Sequence, residues 1–288
     1  LFLYWCRNQL CNVRWGGDVS SAFLVSNGVR QGSVLSPILY NVFIEQLSIL
    51  LIEANVGCKI NGTFINHLFY ADDADLLAPT PTSLQILLRV CEGFAIDQEL
   101  FDNVEKTKCV LFPCKLFKHV SPPTVILNGD TLKFVTEVKY LGMFLTHTDS
   151  DNDDMYRQMC SFYSRGNTLI RKFKCCTDNV KTELFKTFMC NMYGSELWCT
   201  FTKSMYDKLR VSFNKTFRYL LNIPPDVSIS FNLVERRLSN FTAIWRNYVS
   251  KFMLRLHDSE NYILTTITSS LFFNVKSKLN LYWTKFIL

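Results

Sequence analysis

The stretch Phe64-Ile65-Asn66-His67-Leu68-Phe69-Tyr70-Ala71-Asp72-Asp73-Ala74-Asp75-Leu76-Leu77-Ala78 decides the fold. An apolar run ends at Tyr70-Ala71, two adjacent carboxylates follow at Asp72 and Asp73, and a second apolar run resumes at Leu76-Leu77. Apolar runs on both sides of a short acidic interruption predict a β-hairpin with its carboxylates at the tip. Adjacent carboxylates repel each other. The pair is therefore either a solvated acidic turn, where Asp is favoured for backbone reasons, or a seat for a hard divalent cation. Mg²⁺ takes carboxylate oxygens and keeps positions open for water and phosphate.

Upstream, Val29-Arg30-Gln31-Gly32-Ser33-Val34-Leu35-Ser36-Pro37 leads into a helix. Ser36 is placed to N-cap it and Pro37 fits the first helical position. Leu39, Val42, Phe43, Leu47, Leu50 and Ala54 form an apolar stripe that Asn55 and Gly57 end. Gly32 lets backbone approach a ligand closely, while Arg30 and Gln31 offer donors to phosphates or base edges. Nearer the start, Asn12 to Val25 reads as a hairpin around Gly16-Gly17-Asp18, with a further turn at Asn27-Gly28.

Downstream, Pro79 to Thr82 breaks the chain before a helix with Leu84, Leu87, Leu88, Cys91 and Ala95 inward. Asp102 to Phe112 reads as a turn into a strand, Val125 to Val135 as a hairpin around Asn128-Gly129, and Val138 to Leu145 as a further strand. The acidic stretch Thr146 to Asp154 marks a domain boundary, giving domains at 1–147 and 148–288. Beyond it helical periodicity takes over, with candidates at Tyr156–Lys174, Val180–Met192, Tyr206–Leu221 and Phe241–His257.

At 288 residues, 48% hydrophobic and 19% charged, the chain describes a folded protein with a sizeable core. No apolar run approaches the ~18 residues of a membrane span, and no signal peptide is visible. Eleven cysteines at irregular spacing, without a CxxC pair, suit reduced intracellular thiols and not a zinc site. Net charge is +6 and unevenly spread: 11 basic and 13 acidic groups up to residue 147, then 20 basic and 12 acidic. A near-neutral half with a metal-site candidate beside a basic half suits a nucleic-acid enzyme. In the helical half, Arg157, Arg165, Arg171, Lys172 and Lys174 lie among Tyr and Phe, a composition that tracks phosphates and stacks on bases.

The Tyr-Ala-Asp-Asp box resembles that of reverse transcriptases, in the variant used by retrotransposons without long terminal repeats. Arg30-Gln31-Gly32 with Ser36-Pro37 resembles motif B of the same enzymes, and Asp72 follows Gln31 by 41 residues, in the family's order. Lys106-Thr107 matches motif D, and Tyr140-Leu141-Gly142 resembles motif E, the primer grip. The resemblance implies an α+β fold: an incomplete polymerase palm, an antiparallel sheet with packed helices, followed by a helical thumb-like domain. It implies RNA-directed DNA synthesis by two-metal nucleotidyl transfer from a deoxynucleoside triphosphate to a primer 3′-hydroxyl, with Mg²⁺ or Mn²⁺ as cofactor. Asp72 and Asp73 would be metal ligands and Lys106 a cation beside the triphosphate. Arg30, Gln31, Gly32, Tyr70 and Ala71 would line the nucleotide and template pocket. RNA template, DNA primer and dNTP would be the partners, with no membrane. The rest of a retrotransposon polyprotein would lie upstream, and the location would be intracellular, in nucleus and cytoplasm as ribonucleoprotein.

One departure tempers this. The family draws another metal-binding Asp from motif A, on a strand well upstream of motif B, and the only acid before Gln31 is Asp18, in the Gly-rich turn. Asp75 adds a third carboxylate where an apolar residue is usual. Two readings follow: a polymerase fragment inactive alone, or a non-catalytic remnant or reused nucleic-acid-binding domain. An apolar strand with an Asp in the upstream reading frame would favour the first.

Overall fold

A computed structural model of the chain describes residues 8–25, 28–113 and 122–287. Asn27 lies outside them, and with it part of the expected Asn27-Gly28 turn. The class is α+β, and the residues gather into two compact units: Leu1–Cys58 with Phe64–Phe101, and Lys59–Thr63 with Asp102–Leu288.

The first unit opens with β1 (Gln9–Cys11), β2 (Arg14–Trp15), β3 (Asp18–Val19) and β4 (Phe23–Val25). β2 and β3 close a tight hairpin around Gly16-Gly17, and β1 pairs with β4 outside it. Helix α1 (Ser36–Glu53) begins one residue earlier than the N-cap reading requires. Ser36 is buried inside the helix, and its hydroxyl donates to the Arg30 carbonyl instead of capping. The expected stripe is also rotated: Leu47 and Leu51 are buried, while Val42 and Leu50 face solvent. On the far side Ile38, Val42, Ile49 and Ile52 are each more than half exposed.

Helix α1 is long and apolar enough to cross a membrane by length and composition alone. The expectation that nothing approached such a length missed it, because Asn41, Glu45, Gln46 and Ser48 interrupt the run without lowering its average enough.

Short strands β5 (Lys59–Ile60) and β6 (Thr63–Phe64) flank Asn61-Gly62, both at positive φ. The acidic stretch then forms β7 (His67–Tyr70) and β8 (Asp73–Leu76), an antiparallel hairpin as expected. Helix α2 (Pro81–Asp97) starts at Thr80, whose side chain accepts from the Ser83 amide, and Pro81 occupies the first turn. A small core joins them: Leu47 and Leu51 of α1, Leu87 and Phe94 of α2, with Phe69 and Leu76 of the hairpin packed against it.

In the second unit, β9 (Lys108–Val110) pairs in parallel with β12 (Lys133–Val135). β10 (Ile126–Leu127) and β11 (Asp130–Thr131) close around Asn128-Gly129, both at positive φ as a two-residue hairpin turn requires. The predicted hairpin is thus shorter than its apolar run, since β12 leaves it to join β9. β13 (Glu137–Tyr140) and β14 (Met143–Thr146) are a hairpin turning at Leu141-Gly142, not one strand.

The helical body follows: α3 (Asn152–Lys172), α4 (Asp178–Met189), α5 (Lys203–Leu221), α6 (Ile229–Glu235) and α7 (Phe241–His257), then α8 (Tyr262–Ser269), α9 (Leu271–Lys276) and α10 (Lys278–Ile287). The four helices read from periodicity are all present. Their core holds Phe162, Phe185, Phe213, Phe217, Trp198 and Trp245, and the C-terminal helices, which the sequence left undescribed, contribute Trp283. Asp154, 1% exposed, ties this body to β14: it accepts from the Phe144 amide, from Arg157 and from the Trp198 indole.

Candidate active site

The acidic tip is built by strand register. Tyr70 faces Asp73 across the hairpin, so Ala71-Asp72 is the turn and Asp73 opens the returning strand. Alternation then sends Asp73 and Asp75 to the face carrying Leu68 and Tyr70, while His67, Phe69, Ala74 and Leu76 take the other. The second of these faces the small core. The carboxylates of β8 are thereby directed away from the apolar interior, and Asp72 and Asp73 are both exposed. Ala71 holds a positive φ of 49°, a left-handed conformation that costs a residue with a β-carbon roughly 1 kcal/mol.

Two interactions give the direction in which the hairpin lies on α1. At its root, Ser48 Oγ is 2.7 Å from His67 Nε2. One residue earlier, Asn66 Nδ2 donates to Leu51 O at 2.7 Å, so Asn66 and His67 meet Leu51 and Ser48 in that order. Towards the tip, burial pushes the Tyr40 phenol above its ordinary range and the Asp72 carboxylate adds to the rise. From Ser48 back to Tyr40 is about 12 Å of helix, and from His67 to Asp72 about 16 Å of strand. β7 therefore runs against the helix direction and delivers its tip to the N-terminal end of α1.

The Arg30-Gln31-Gly32 loop sits at that same end. Ser33 N donates to Arg30 O and Ser36 Oγ donates to the same carbonyl, which pins the loop to the first helical residue. Arg30 Nε donates to the buried Gln9 side chain at 3.1 Å. Gln31 and Gly32 are exposed, and Gly32 has a φ of 81° with open space where a β-carbon would point. Arg30, Gln31, Gly32, Tyr70, Ala71, Asp72 and Asp73 thus all belong to the first unit, at one end of α1.

Lys106 and Tyr140-Leu141-Gly142 lie in the second unit. Lys106 is exposed, its amide donating to Asn103 Oδ1 in the turn before β9. Leu141 and Gly142 are the β13–β14 turn, and the Leu141 carbonyl accepts from the Tyr193 hydroxyl at 2.9 Å. Of the basic residues singled out for nucleic acid, Arg165 is engaged internally. Its guanidinium donates to Phe188 O and Asn191 O and lies 5.5 Å from the Phe162 ring. It closes the carbonyl end of α4, where a cation is favoured. Arg171, Lys172 and Lys174 are exposed.

Asp72 and Asp73 supply the hard oxygen donors that Mg²⁺ prefers, and in that respect the residues fit such an ion. Among the described residues no group of three or more His, Cys, Asp or Glu is arranged to hold a metal ion.

Residues 2–145 match the family model described as reverse transcriptase (RNA-dependent DNA polymerase). The chain belongs to this family. It is 31% identical over 143 residues to a retrovirus-related Pol polyprotein from the type-2 retrotransposable element R2DM of Drosophila melanogaster, covering 46% of this chain and 13% of the relative. It is 26% identical over 219 residues to the RNA-directed DNA polymerase from mobile element jockey of the same fly, 72% of this chain and 23% of the relative. A third, the probable RNA-directed DNA polymerase from transposon BS, is 26% identical over 255 residues, 80% and 27%. The chain spans less than a third of the length of each. These are the mobile-element polymerases that the Tyr-Ala-Asp-Asp and Arg-Gln-Gly motifs resemble.

Sequence reasoning passed over Tyr40, Ser48, Asn66 and His67. The available signal was weak: Tyr40 and Ser48 border the apolar stripe of α1, and Asn66-His67 interrupts an otherwise apolar strand.

Proposed function

We propose that this chain is the C-terminal palm and thumb portion of the reverse transcriptase of a non-LTR retrotransposon, with a palm part in 1–147 and a thumb part in 148–288. The observation that carries it is that the Arg30–Gly32 loop is pinned to the N-terminal end of α1 and that the Asp72-Asp73 hairpin runs against α1 towards that same end.

In this reading Asp72 and Asp73 would hold Mg²⁺ or Mn²⁺, which would supply charge stabilisation to the oxygens of phosphoryl transfer. Gly32 admits the nucleotide to close backbone approach, and Arg30 and Gln31 meet phosphate or base. Ala71 is small enough to leave the incoming sugar room beside Tyr70. Lys106 serves the triphosphate, and the Leu141-Gly142 turn supports the primer end. RNA template, DNA primer and dNTP are the ligands, within a ribonucleoprotein of nucleus and cytoplasm.

We further propose that this chain alone does not extend a primer. Among the described residues β7 and β8 form a two-stranded ladder, and the edge of such a ladder is where a further strand adds. A strand of the upstream polyprotein bearing a carboxylate would complete the ligand set.

The test is primer extension on an RNA template with Mg²⁺, comparing this chain with one extended upstream through that strand. Synthesis by the longer chain, lost in Asp72→Asn, supports the proposal. Robust synthesis by the short chain refutes the claim of incompleteness. Failure of both favours a non-catalytic remnant.

A further inference from the structure

At the root of the acidic hairpin lies a chain of side chains that none of the polymerase motifs includes. Ser48 Oγ is 2.7 Å from His67 Nε2, and His67 Nδ1 is 2.8 Å from Asn66 Oδ1. Asn66, 1% exposed, donates from Nδ2 to Leu51 O at 2.7 Å and to Val56 O at 2.8 Å. Both amide hydrogens of Asn66 are therefore engaged, one by the Leu51 carbonyl in the last turn of α1 and one by the Val56 carbonyl in the loop after it, and its oxygen is the atom that meets His67. Nδ1 must then carry the imidazole proton, since two acceptors would repel. Nε2 is left as a lone pair, and the Ser48 hydroxyl donates to it. Partial burial lowers the affinity of His67 for a second proton. Every donor in the chain thus has one assigned acceptor.

The connectivity is that of a serine–histidine–amide hydrolytic relay, but Ser48 sits inside α1, where helix hydrogen bonds occupy the surrounding amides. Those amides are not free to serve as oxyanion donors, so nucleophilic catalysis is excluded.

We propose instead that Ser48, His67 and Asn66 are positioning residues that lock the carboxylate hairpin to α1, so that the Asp72-Asp73 tip and the Arg30–Gly32 loop keep a fixed geometry. The inference rests on the polymerase reading of that tip. Its physical basis is that Phe69 and Leu76 meet α1 through the apolar cluster of Leu47, Leu51, Leu87 and Phe94. The backbone bonds of Ile65 and Leu77 go to Cys58, past the end of α1, so that Ser48–His67 and Asn66–Leu51 are the hydrogen bonds that fix the hairpin root on α1 itself. Apolar packing is non-directional and tolerates sliding, whereas hydrogen bonds between defined donors and acceptors do not. A slide of about 1 Å at the root would carry to the tip, and a misplacement of that size costs roughly a hundredfold in rate where reacting groups must align.

The variants are Ser48→Ala and Ser48→Thr. Alanine is the better helix former, so Ser48→Ala removes the hydroxyl without weakening α1. In primer extension by the upstream-extended chain, Ser48→Ala should lower kcat by about tenfold and leave KM for dNTP within about twofold, with Ser48→Thr close to wild type. In ¹⁵N spectra of the 288-residue chain, the His67 ring should show a protonated Nδ1 and a bare Nε2. Amides from Tyr70 to Asp73 should exchange faster in Ser48→Ala. A protonated Nε2 in place of Nδ1, or an unchanged kcat in Ser48→Ala, would overturn the inference. If the wild-type extended chain makes no DNA, the polymerase reading fails on its own. The ring tautomer and amide exchange then decide the relay, unchanged exchange in Ser48→Ala refuting it.

Discussion

Helices α1 and α5 are nearly the same length, 18 and 19 residues, and α1 is the more apolar; yet α1 buries three side chains and α5 buries eight. In α5 the buried positions include Leu209, Phe213, Phe217 and Leu220, packed in a body that also draws on α3, α4 and α7. In α1 one flank meets α2 and the β7–β8 hairpin, while Ile38, Val42, Ile49 and Ile52 remain open. Burial is decided by what is there to pack against, not by how apolar the helix is. The same contrast separates the units. Among the described residues, the largest buried cluster of the second unit holds twenty apolar side chains and that of the first holds four. The candidate chemistry therefore sits on the less self-sufficient part of the chain, and a fixed hydrogen-bonded root matters more there than it would inside a large core.

The largest effect that would sharpen this comparison is on activity. Asp72→Asn in the upstream-extended chain should reduce primer extension by about a thousandfold or more, the scale of losing several kcal/mol of charge stabilisation. The fluorescence-detected unfolding of the tryptophan-rich helical body should not move. A shift of that transition would mean that the tip is part of the helical core's stability, and the contrast between units would break.

The helical body should be the more sensitive to damage of its core. Asp154→Ala strands the Arg157 guanidinium, the Phe144 amide and the Trp198 indole together. Breaking a buried pair from one side is expected to destabilise by about 3–5 kcal/mol. In the first unit the comparable lesion is Gly57→Ala. Gly57 has a φ of 112°, and a β-carbon there would come within 2.3 Å of Asn66 Cβ and 3.0 Å of Leu77 O. Overpacking of this kind costs about 1–3 kcal/mol. Urea unfolding monitored by amide exchange in each unit orders the two; a milder effect from Asp154→Ala than from Gly57→Ala would invert the comparison.

These particulars also mark what the sequence made legible. The hairpin, its register-determined tip and helix α7 follow from periodicity and turn residues, because those signals are local. The Asn-Gly pairs at 61–62 and 128–129 adopt the positive φ values that their type implies. What stayed hidden depends on distant partners. Ser36 reads as a cap from its neighbours, yet its hydroxyl meets the Arg30 carbonyl. β12 reads as a hairpin arm and instead pairs in parallel with β9, because the preference of a three-residue strand is easily overridden. Arg165 belongs by composition to a phosphate-tracking set, but the carbonyl end of α4, 23 residues away, claims it.

That last reassignment gives a smaller, separable effect on nucleic-acid affinity. Replacing Arg171 and Lys172 by Ala should flatten the dependence of primer–template binding on salt, by about 0.7–0.9 in log–log slope for each phosphate that is no longer neutralised. Arg165→Ala should leave that slope unchanged and lower the unfolding midpoint instead. An equal flattening from Arg165→Ala would place its guanidinium on phosphate and not on α4.

The smallest effect concerns Asp151, just before α3. Its carboxylate accepts from the Cys199 amide at 2.7 Å and the Thr200 amide at 2.6 Å. Burial nevertheless raises its pKa, with Asp149 and Asp154 adding to the rise and the two amide bonds opposing it. The sign follows from linkage. A carboxyl whose pKa is higher in the folded state favours folding while protonated, and that contribution is lost as pH rises through the folded pKa. Asn at this position keeps an oxygen acceptor and carries no charge. Asp151→Asn should therefore shift the urea midpoint slightly upward at about pH 7, and the difference should shrink towards about pH 3, where Asp151 itself is neutral. Measuring both midpoints across that range checks it. If Asp151→Asn is instead the less stable protein near neutral pH, the charge-assisted bonds to Cys199 and Thr200 outweigh desolvation, and the acidic stretch before α3 is held by its charge.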